Sequence, residues 1–153
     1  MNEPCESPNG RLDWLKSRLQ QAGHKATHQR LEVFREVIQT DAHPDAETVF
    51  LGVRERIPTI SRNTVYQTLQ FLVDQGYIAP FGIHQASHRY DRNTMPHHHL
   101  VCVCCGKVSD CTQSGLNLSH FAGFENWGRI DALHLELRGI CSDCLSKQEI
   151  ASS

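Results

Sequence analysis

Long apolar runs are absent from this chain of 153 residues. No stretch reaches the length of a signal core or a membrane span, and the opening Met1-Asn2-Glu3-Pro4-Cys5-Glu6 is polar and acidic. The sequence therefore reads as a soluble, cytoplasmic protein. An excess of positive charge is absent too. Fifteen Lys and Arg face seventeen Asp and Glu, a formal net charge of -2, with ten of each sign among residues 1–90. Any nucleic-acid contact must therefore come from a local patch. No internal repeat is present. The length fits one domain or, better, two small ones, each with a limited core that a structural metal would compensate.

Metal-ligating side chains are plentiful, with seven cysteines and ten histidines. Cys102-Val103-Cys104-Cys105 and Cys141-Ser142-Asp143-Cys144 each hold two cysteines across a two-residue gap, the spacing that lets a tight turn aim both sulfurs at one ion. Cys102, Cys105, Cys141 and Cys144 together are the ligand set of a closed tetrahedral zinc. A disulfide reading leaves one cysteine of seven unpaired and finds no secretory signal. Cys104 could replace its neighbour Cys105 as ligand, and Cys5 and Cys111 read as bystanders. His97-His98-His99 leads straight into the apolar Leu100-Val101-Cys102-Val103. On a strand His97 and His99 share one face while His98 and Cys102 share the other, so this strand is expected to serve two sites.

The fold expected is α+β. Leu12, Leu15 and Leu19 recur at helical spacing until Ala22-Gly23-His24. Thr27 can cap a second helix through Leu31, Val33, Phe34 and Val37, which closes before Pro44. Asp45 can cap a third with Val49, Phe50 and Val53 as its buried stripe, and Ser61 a fourth that stops at Gln75-Gly76. Tyr77 to Ile83 and His88 to Asp91 read as two strands around a turn, so residues 1–90 form a winged helix. Its fourth helix exposes Arg62, Asn63, Tyr66 and Gln67, groups that can read bases and phosphates, away from Val65, Leu69 and Leu72. A hinge at residues 91–96 leads to an α/β domain, 97–153. That domain is expected to have strands at His97–Val103 and Lys107–Cys111, a short helix around Leu116–Phe121, and a last alternating strand, Asp131–Arg138, offering a dimer edge.

An enzyme reading could start from His134-Leu135-Glu136 and the cysteines after it, which resemble a zinc deaminase signature. Only four residues separate Glu136 from Cys141 and no proline precedes Cys141, which leaves no room for that pocket. The chain is read as a non-enzyme.

Taken in order, Thr27-His28-Gln29-Arg30, Ala42-His43-Pro44, Thr64-Val65-Tyr66, Arg89-Tyr90-Asp91, His97-His98-His99-Leu100-Val101-Cys102, Cys105-Gly106-Lys107-Val108 and Gly139-Ile140-Cys141-Ser142-Asp143-Cys144 closely resemble the ferric-uptake-regulator family of metal-dependent repressors. The resemblance runs from the first helix through Cys144. It implies a homodimer on a palindromic operator, a DNA-reading helix that includes Thr64, and a four-cysteine zinc in the dimerisation domain. It places a regulatory metal on His43, Asp91, His97, His99 and Asp110. Three nitrogens and two oxygens make a fairly hard, open set suited to Fe(II) or Mn(II), although Zn(II) would also bind. Since His43 lies in the helical domain and His97, His99 and Asp110 in the other, metal would tie the two together. A bias of roughly 5 kcal/mol would shift the dimer from mostly open to mostly binding-competent.

Asp110, where iron-uptake members tend to carry glutamate, resembles the peroxide-sensing subgroup, as does Asp91. In that subgroup Fe(II) and peroxide oxidise ligand histidines, which by resemblance are His43 and His97. A manganese, iron or zinc uptake regulator indifferent to peroxide is the alternative; a zinc-ribbon module without DNA affinity would not explain Thr64-Val65-Tyr66. His28 stands where proline is usual and Gln67 where arginine or asparagine is common, which leaves the operator sequence open. An extra metal site of some members would fall on Pro96 and Leu133. His98 and His134 could substitute there, but the site is expected to be absent. His24, His84, His88 and His120 read as surface or packing residues.

Overall fold

The computed structural model describes residues 7–81, 89–111, 123, 128–130 and 133–151, the last four by their backbone alone. The chain divides into two compact units, Met1–Thr94 and Met95–Ser153.

The first unit begins with four helices, α1 (Pro8–Gln21), α2 (His28–Ile38), α3 (Ala46–Arg56) and α4 (Arg62–Asp74). Each starts where a side-chain oxygen meets an otherwise unpaired amide. Ser7 accepts from Gly10, Thr27 from Arg30, Asp45 from Thr48 and Ser61 from Thr64. The three caps expected at Thr27, Asp45 and Ser61 are thus in place. The first helix starts earlier than its leucine spacing suggests, because Ser7 caps it and Pro8 suits a first helical position.

Two of these helices end on a left-handed glycine. Gly23 (φ 75°) and Gly76 (φ 70°) turn the chain so that the His24 amide reaches the Leu19 carbonyl and the Tyr77 amide reaches Leu72. Apolar positions at helical spacing, including Leu15, Leu19, Val33, Val37, Val49, Val53, Val65, Leu69 and Leu72, meet in one buried core. The hairpin β1 (Ala79–Phe81) and β2 (Arg89–Asp91) pairs antiparallel, with Ala79 opposite Asp91. Four helices and this hairpin make a winged helix. Residues 82–88, and His84 and His88 with them, lie outside the described residues.

Inside the unit α2 and α3 are fastened by charge. Glu32 is 5% exposed, and Arg56 donates to it at 2.5 Å and to Glu36 at 2.6 Å. Gly52 permits this approach, since a β-carbon there would stand 2.2 Å from the Glu36 carboxylate.

The second unit carries β3 (His98–Cys102), β4 (Val108–Cys111), β5 (Glu136–Gly139) and α5 (Ser142–Ala151), with the sheet ordered β4-β3-β5. β4 runs antiparallel and β5 parallel to β3. The last strand is shorter than expected. Leu133, His134 and Leu135 precede it, and it starts only at Glu136, where pairing with His99 begins. It leaves Leu137 exposed while Glu136 is half-buried. The closing helix α5 had no clear apolar periodicity to announce it. The short helix expected around Leu116–Phe121, His120 within it, and residues 131–132 fall outside the described residues. The buried apolar side chains described in this unit are Cys102, Val108 and Cys144. Two of the three are thiols, so among the described residues the apolar interior of this unit gathers around sulfur.

Candidate metal centres and nucleic-acid interface

The four sulfurs of Cys102, Cys105, Cys141 and Cys144 lie within 4.8 Å of one another. Cys102 ends β3 and Cys105 lies in the turn beyond it, closed by the Gly106 amide on the Cys102 carbonyl at 2.9 Å. Cys141 follows β5 and Cys144 lies in the first turn of α5, with its amide on the Cys141 carbonyl at 3.1 Å. A parallel pairing of β3 and β5 is what brings the two turns to the same end of the sheet.

Zinc–sulfur bonds of about 2.3 Å in a tetrahedron separate the sulfurs by about 3.8 Å. Cys105 and Cys141 stand 3.8 Å apart. The Cys141 amide donates to Cys102 Sγ at 3.3 Å, and this bond, with others from Cys105 and Cys104, lowers the Cys102 pKa to about 6. Cys144 is shifted the opposite way, because the Cys105 and Cys141 sulfurs crowd it. Four thiols so placed can all be thiolates only around a cation, so the cluster fits a structural zinc. Cys104 is exposed and stands outside the four. Cys111, on β4, pairs across the sheet with His98.

In the first unit His43 occupies the connection between α2 and α3 with φ 50°, a left-handed value that costs a non-glycine residue energy. Its carbonyl accepts from Arg89 at 3.1 Å, and the Pro44 carbonyl accepts from the Tyr90 amide at 2.9 Å. His43 is 4% exposed, and its Nδ1 faces the Asp41 carbonyl at 3.0 Å. A carbonyl only accepts, so Nδ1 carries the hydrogen and Nε2 of the neutral ring presents a lone pair. That lone pair points at Asp91 Oδ2, 3.3 Å away, while the Asn93 amide holds Oδ1 at 2.7 Å.

The second unit repeats the device. His97 Nδ1 faces the Met95 carbonyl at 2.7 Å, which turns its Nε2 toward His99 Nε2 at 2.9 Å. Asp110 Oδ1 lies 3.7 Å and 4.0 Å from the two. Ligands with metal–nitrogen bonds of about 2.1 Å at right angles would stand about 3.0 Å apart. Carbonyls behind His43 and His97 are an outer-shell arrangement that orients ligand imidazoles, and nitrogens with carboxylate oxygens beside them suit a fairly hard divalent ion. Each set fits a share of a regulatory metal site. His98, on the opposite face of β3, accepts at Nδ1 from the Leu135 amide at 3.4 Å, while His134 is exposed.

On α4, Arg62, Asn63, Tyr66 and Gln67 are exposed along one side, whereas Thr64 is half-buried with its hydroxyl 2.9 Å from the capping Ser61 Oγ. Arg62 is forked by Glu47 from α3, through Nε at 3.0 Å and Nη2 at 2.6 Å, and its guanidinium carbon lies 4.4 Å from the Phe50 ring centre. These hydrogen bonds lower the Glu47 pKa and raise that of Arg62. Glu47 did not stand out in the sequence, because a pair fifteen residues apart on two helices leaves no local pattern. His24 packs edge-on against Phe71 at 5.1 Å.

Among known proteins, the model of the ferric uptake regulator family matches residues 21–128. The peroxide-responsive repressor PerR of Staphylococcus aureus is 30% identical over 152 residues, covering 96% of this chain and all of its own. Solved structures share the fold. The Helicobacter pylori ferric uptake regulator Fur superposes with a TM-score of 0.73 at 20% identity, over 94% of this chain and 97% of its own. A zinc uptake regulator complexed with zinc and DNA gives 0.69 at 22% identity, over 94% and 98%.

Proposed function

Because the chain belongs to the ferric uptake regulator family, we propose that it is a homodimeric, metal-dependent repressor that reads a palindromic operator through α4. In this reading its regulatory metal, Fe(II) or Mn(II), is held jointly by His43, Asp91, His97, His99 and Asp110. The observation that carries the proposal is the preparation of two imidazoles. His43 and His97 each spend Nδ1 on a backbone carbonyl, and each turns Nε2 toward a second buried ligand group. One ion bound by both sets would limit the angles between the winged helix and the second unit. The population would then shift toward the form that spaces two reading helices about one DNA turn apart.

Self-association is supported by the register of the sheet. Leu100 stands opposite Leu137 across β3 and β5, and both are exposed, at 43% and 51%. Such side chains on neighbouring strands are a surface that a second copy would cover. No helix among the described residues is long and apolar enough to cross a membrane.

The finer reading is peroxide sensing, supported by Asp110 and by likeness to a protein named as a peroxide-responsive repressor. Bound Fe(II) would activate peroxide, and the two electrons that peroxide takes up come in the end from the ring. In net terms one oxygen atom of hydrogen peroxide replaces a ring C–H hydrogen of His43 or His97 as a hydroxyl or its oxo tautomer, and the remainder leaves as water. The oxidised ring is a poorer ligand, so DNA is released. The test loads the zinc-retaining dimer with Fe(II) or Mn(II), adds low peroxide, and follows operator binding together with the mass of the histidine peptides. Loss of binding with Fe(II) alone, with one added oxygen at His43 or His97, supports a peroxide sensor. Metal-dependent binding indifferent to peroxide replaces it with a metal-uptake regulator.

A further inference from the structure

Arg62 sits at the first position of α4 and does not stand free. Glu47, in the first turn of α3, takes the Nε–Nη2 edge of its guanidinium, with contacts of 3.0 Å and 2.6 Å. The guanidinium also lies over Phe50, whose side chain is buried, and Arg54 stands 5.8 Å from the centre of the same ring. The fork and the stack together fix both the plane of the group and the direction of its free end.

That free end is the Nη1–Nη2 edge, which carries the parallel pair of N–H bonds needed for O6 and N7 of guanine. The carboxylate also cancels the positive charge that would draw an unpaired arginine to any phosphate. In a unit with equal numbers of acidic and basic residues, this pairing weighs heavily on how strongly DNA is held without regard to sequence.

We propose that Glu47 is a positioning residue that sets the sequence specificity of the DNA-reading surface. It presents Arg62 end-on to a guanine edge while suppressing the attraction of that arginine to phosphate. The inference rests on the reading of α4 as a DNA-contacting helix.

The test uses full-length, metal-loaded protein, a duplex selected by the wild type from a randomised pool, and a scrambled duplex of the same composition. Affinities are measured across a range of salt for the wild type, Glu47→Gln, Arg62→Lys and Arg62→Ala. Both side chains are largely exposed, at 45% and 57%, and thermal melts verify that each variant folds. Glu47→Gln is expected to tighten binding to the scrambled duplex and to steepen the salt dependence by about one phosphate contact per protomer. It should reduce the selected-to-scrambled ratio by about tenfold. Arg62→Lys should keep a phosphate-type salt dependence yet lose preference for a G·C pair in each half-site.

If Arg62→Ala weakens the selected duplex while Glu47→Gln matches the wild type in ratio and salt slope, the role of Glu47 is overturned and the DNA reading stands. If Arg62→Ala binds the selected duplex as the wild type does, Arg62 is not a reading residue and the inference falls with it. A metal-loaded wild type that selects no sequence overturns the DNA reading itself.

Discussion

His43 Nε2 and Asp91 Oδ2 stand 3.3 Å apart, each side chain 3% exposed, with the imidazole hydrogen already committed to the Asp41 carbonyl. Two acceptors brought together away from water need a proton or a metal ion between them. His43→Ala or Asp91→Ala should therefore lower regulatory-metal affinity by at least the roughly 10- to 100-fold that loss of an outer-shell partner costs. Metal-dependent operator binding should be lost with it. Zinc content should stay at the wild-type level, and metal analysis alongside titration calorimetry tests both halves of this expectation.

Zinc removal should act on the second unit. Cys102→Ser or Cys141→Ser is expected to abolish bound zinc and expose the segment after Met95 to proteolysis, because two of its three described buried apolar side chains are zinc-cluster thiols. Among the described residues the helical core of the first unit contains no cysteine, so its helical circular-dichroism signal should persist. Cys104→Ser should retain zinc, since Cys105 occupies the fourth position of the cluster. Loss of zinc in that variant would transfer the ligand role to Cys104.

Gly52 and Glu36 provide a test of packing between α2 and α3. Alanine normally gains up to about 1 kcal/mol over glycine inside a helix. Here its methyl would displace a carboxylate that Arg56 holds at 2.6 Å. Gly52→Ala should therefore be close to neutral in the native sequence and stabilise the protein by up to about 1 kcal/mol in a Glu36→Ala background. Denaturant melts of the four proteins in the cycle measure the difference.

Glu32 is the buried member of the same network, with Arg56 at 2.5 Å and Arg35 at 3.5 Å. Its removal takes the carboxylate from Arg35, while Arg56 keeps Glu36 and both arginines reach solvent. Glu32→Ala is expected to cost about 2 kcal/mol, read from the shift in denaturant midpoint. A loss below about 1 kcal/mol would show that water reaches and solvates the arginines.

Much of the first unit was legible because its signals are local. Thr27, Asp45 and Ser61 each sit one residue before a helix, and Gly76 directly follows the cap of α4. The second unit was less so. Its last strand is four residues long and pairs with a strand 37 positions earlier, as His99 does with Glu136, and such partners leave no period in the sequence. The expected strand over 131–138 followed a leucine alternation whose apolar face turns out to be exposed at Leu137.

By itself the sequence determined the chemistry available: two cysteine pairs at zinc spacing, histidines alternating along a strand, and helices bounded by caps and glycines. These follow from bond geometry and short-range hydrogen bonding, which a few neighbouring residues fix. The tertiary structure decided which groups meet. It turned the His43 and His97 lone pairs inward by placing the Asp41 and Met95 carbonyls behind them. It closed four sulfurs into one cluster through a parallel strand pairing, and it set Glu47 against Arg62 across two helices. Those contacts depend on how separate elements pack, and packing is settled only by the folded chain as a whole.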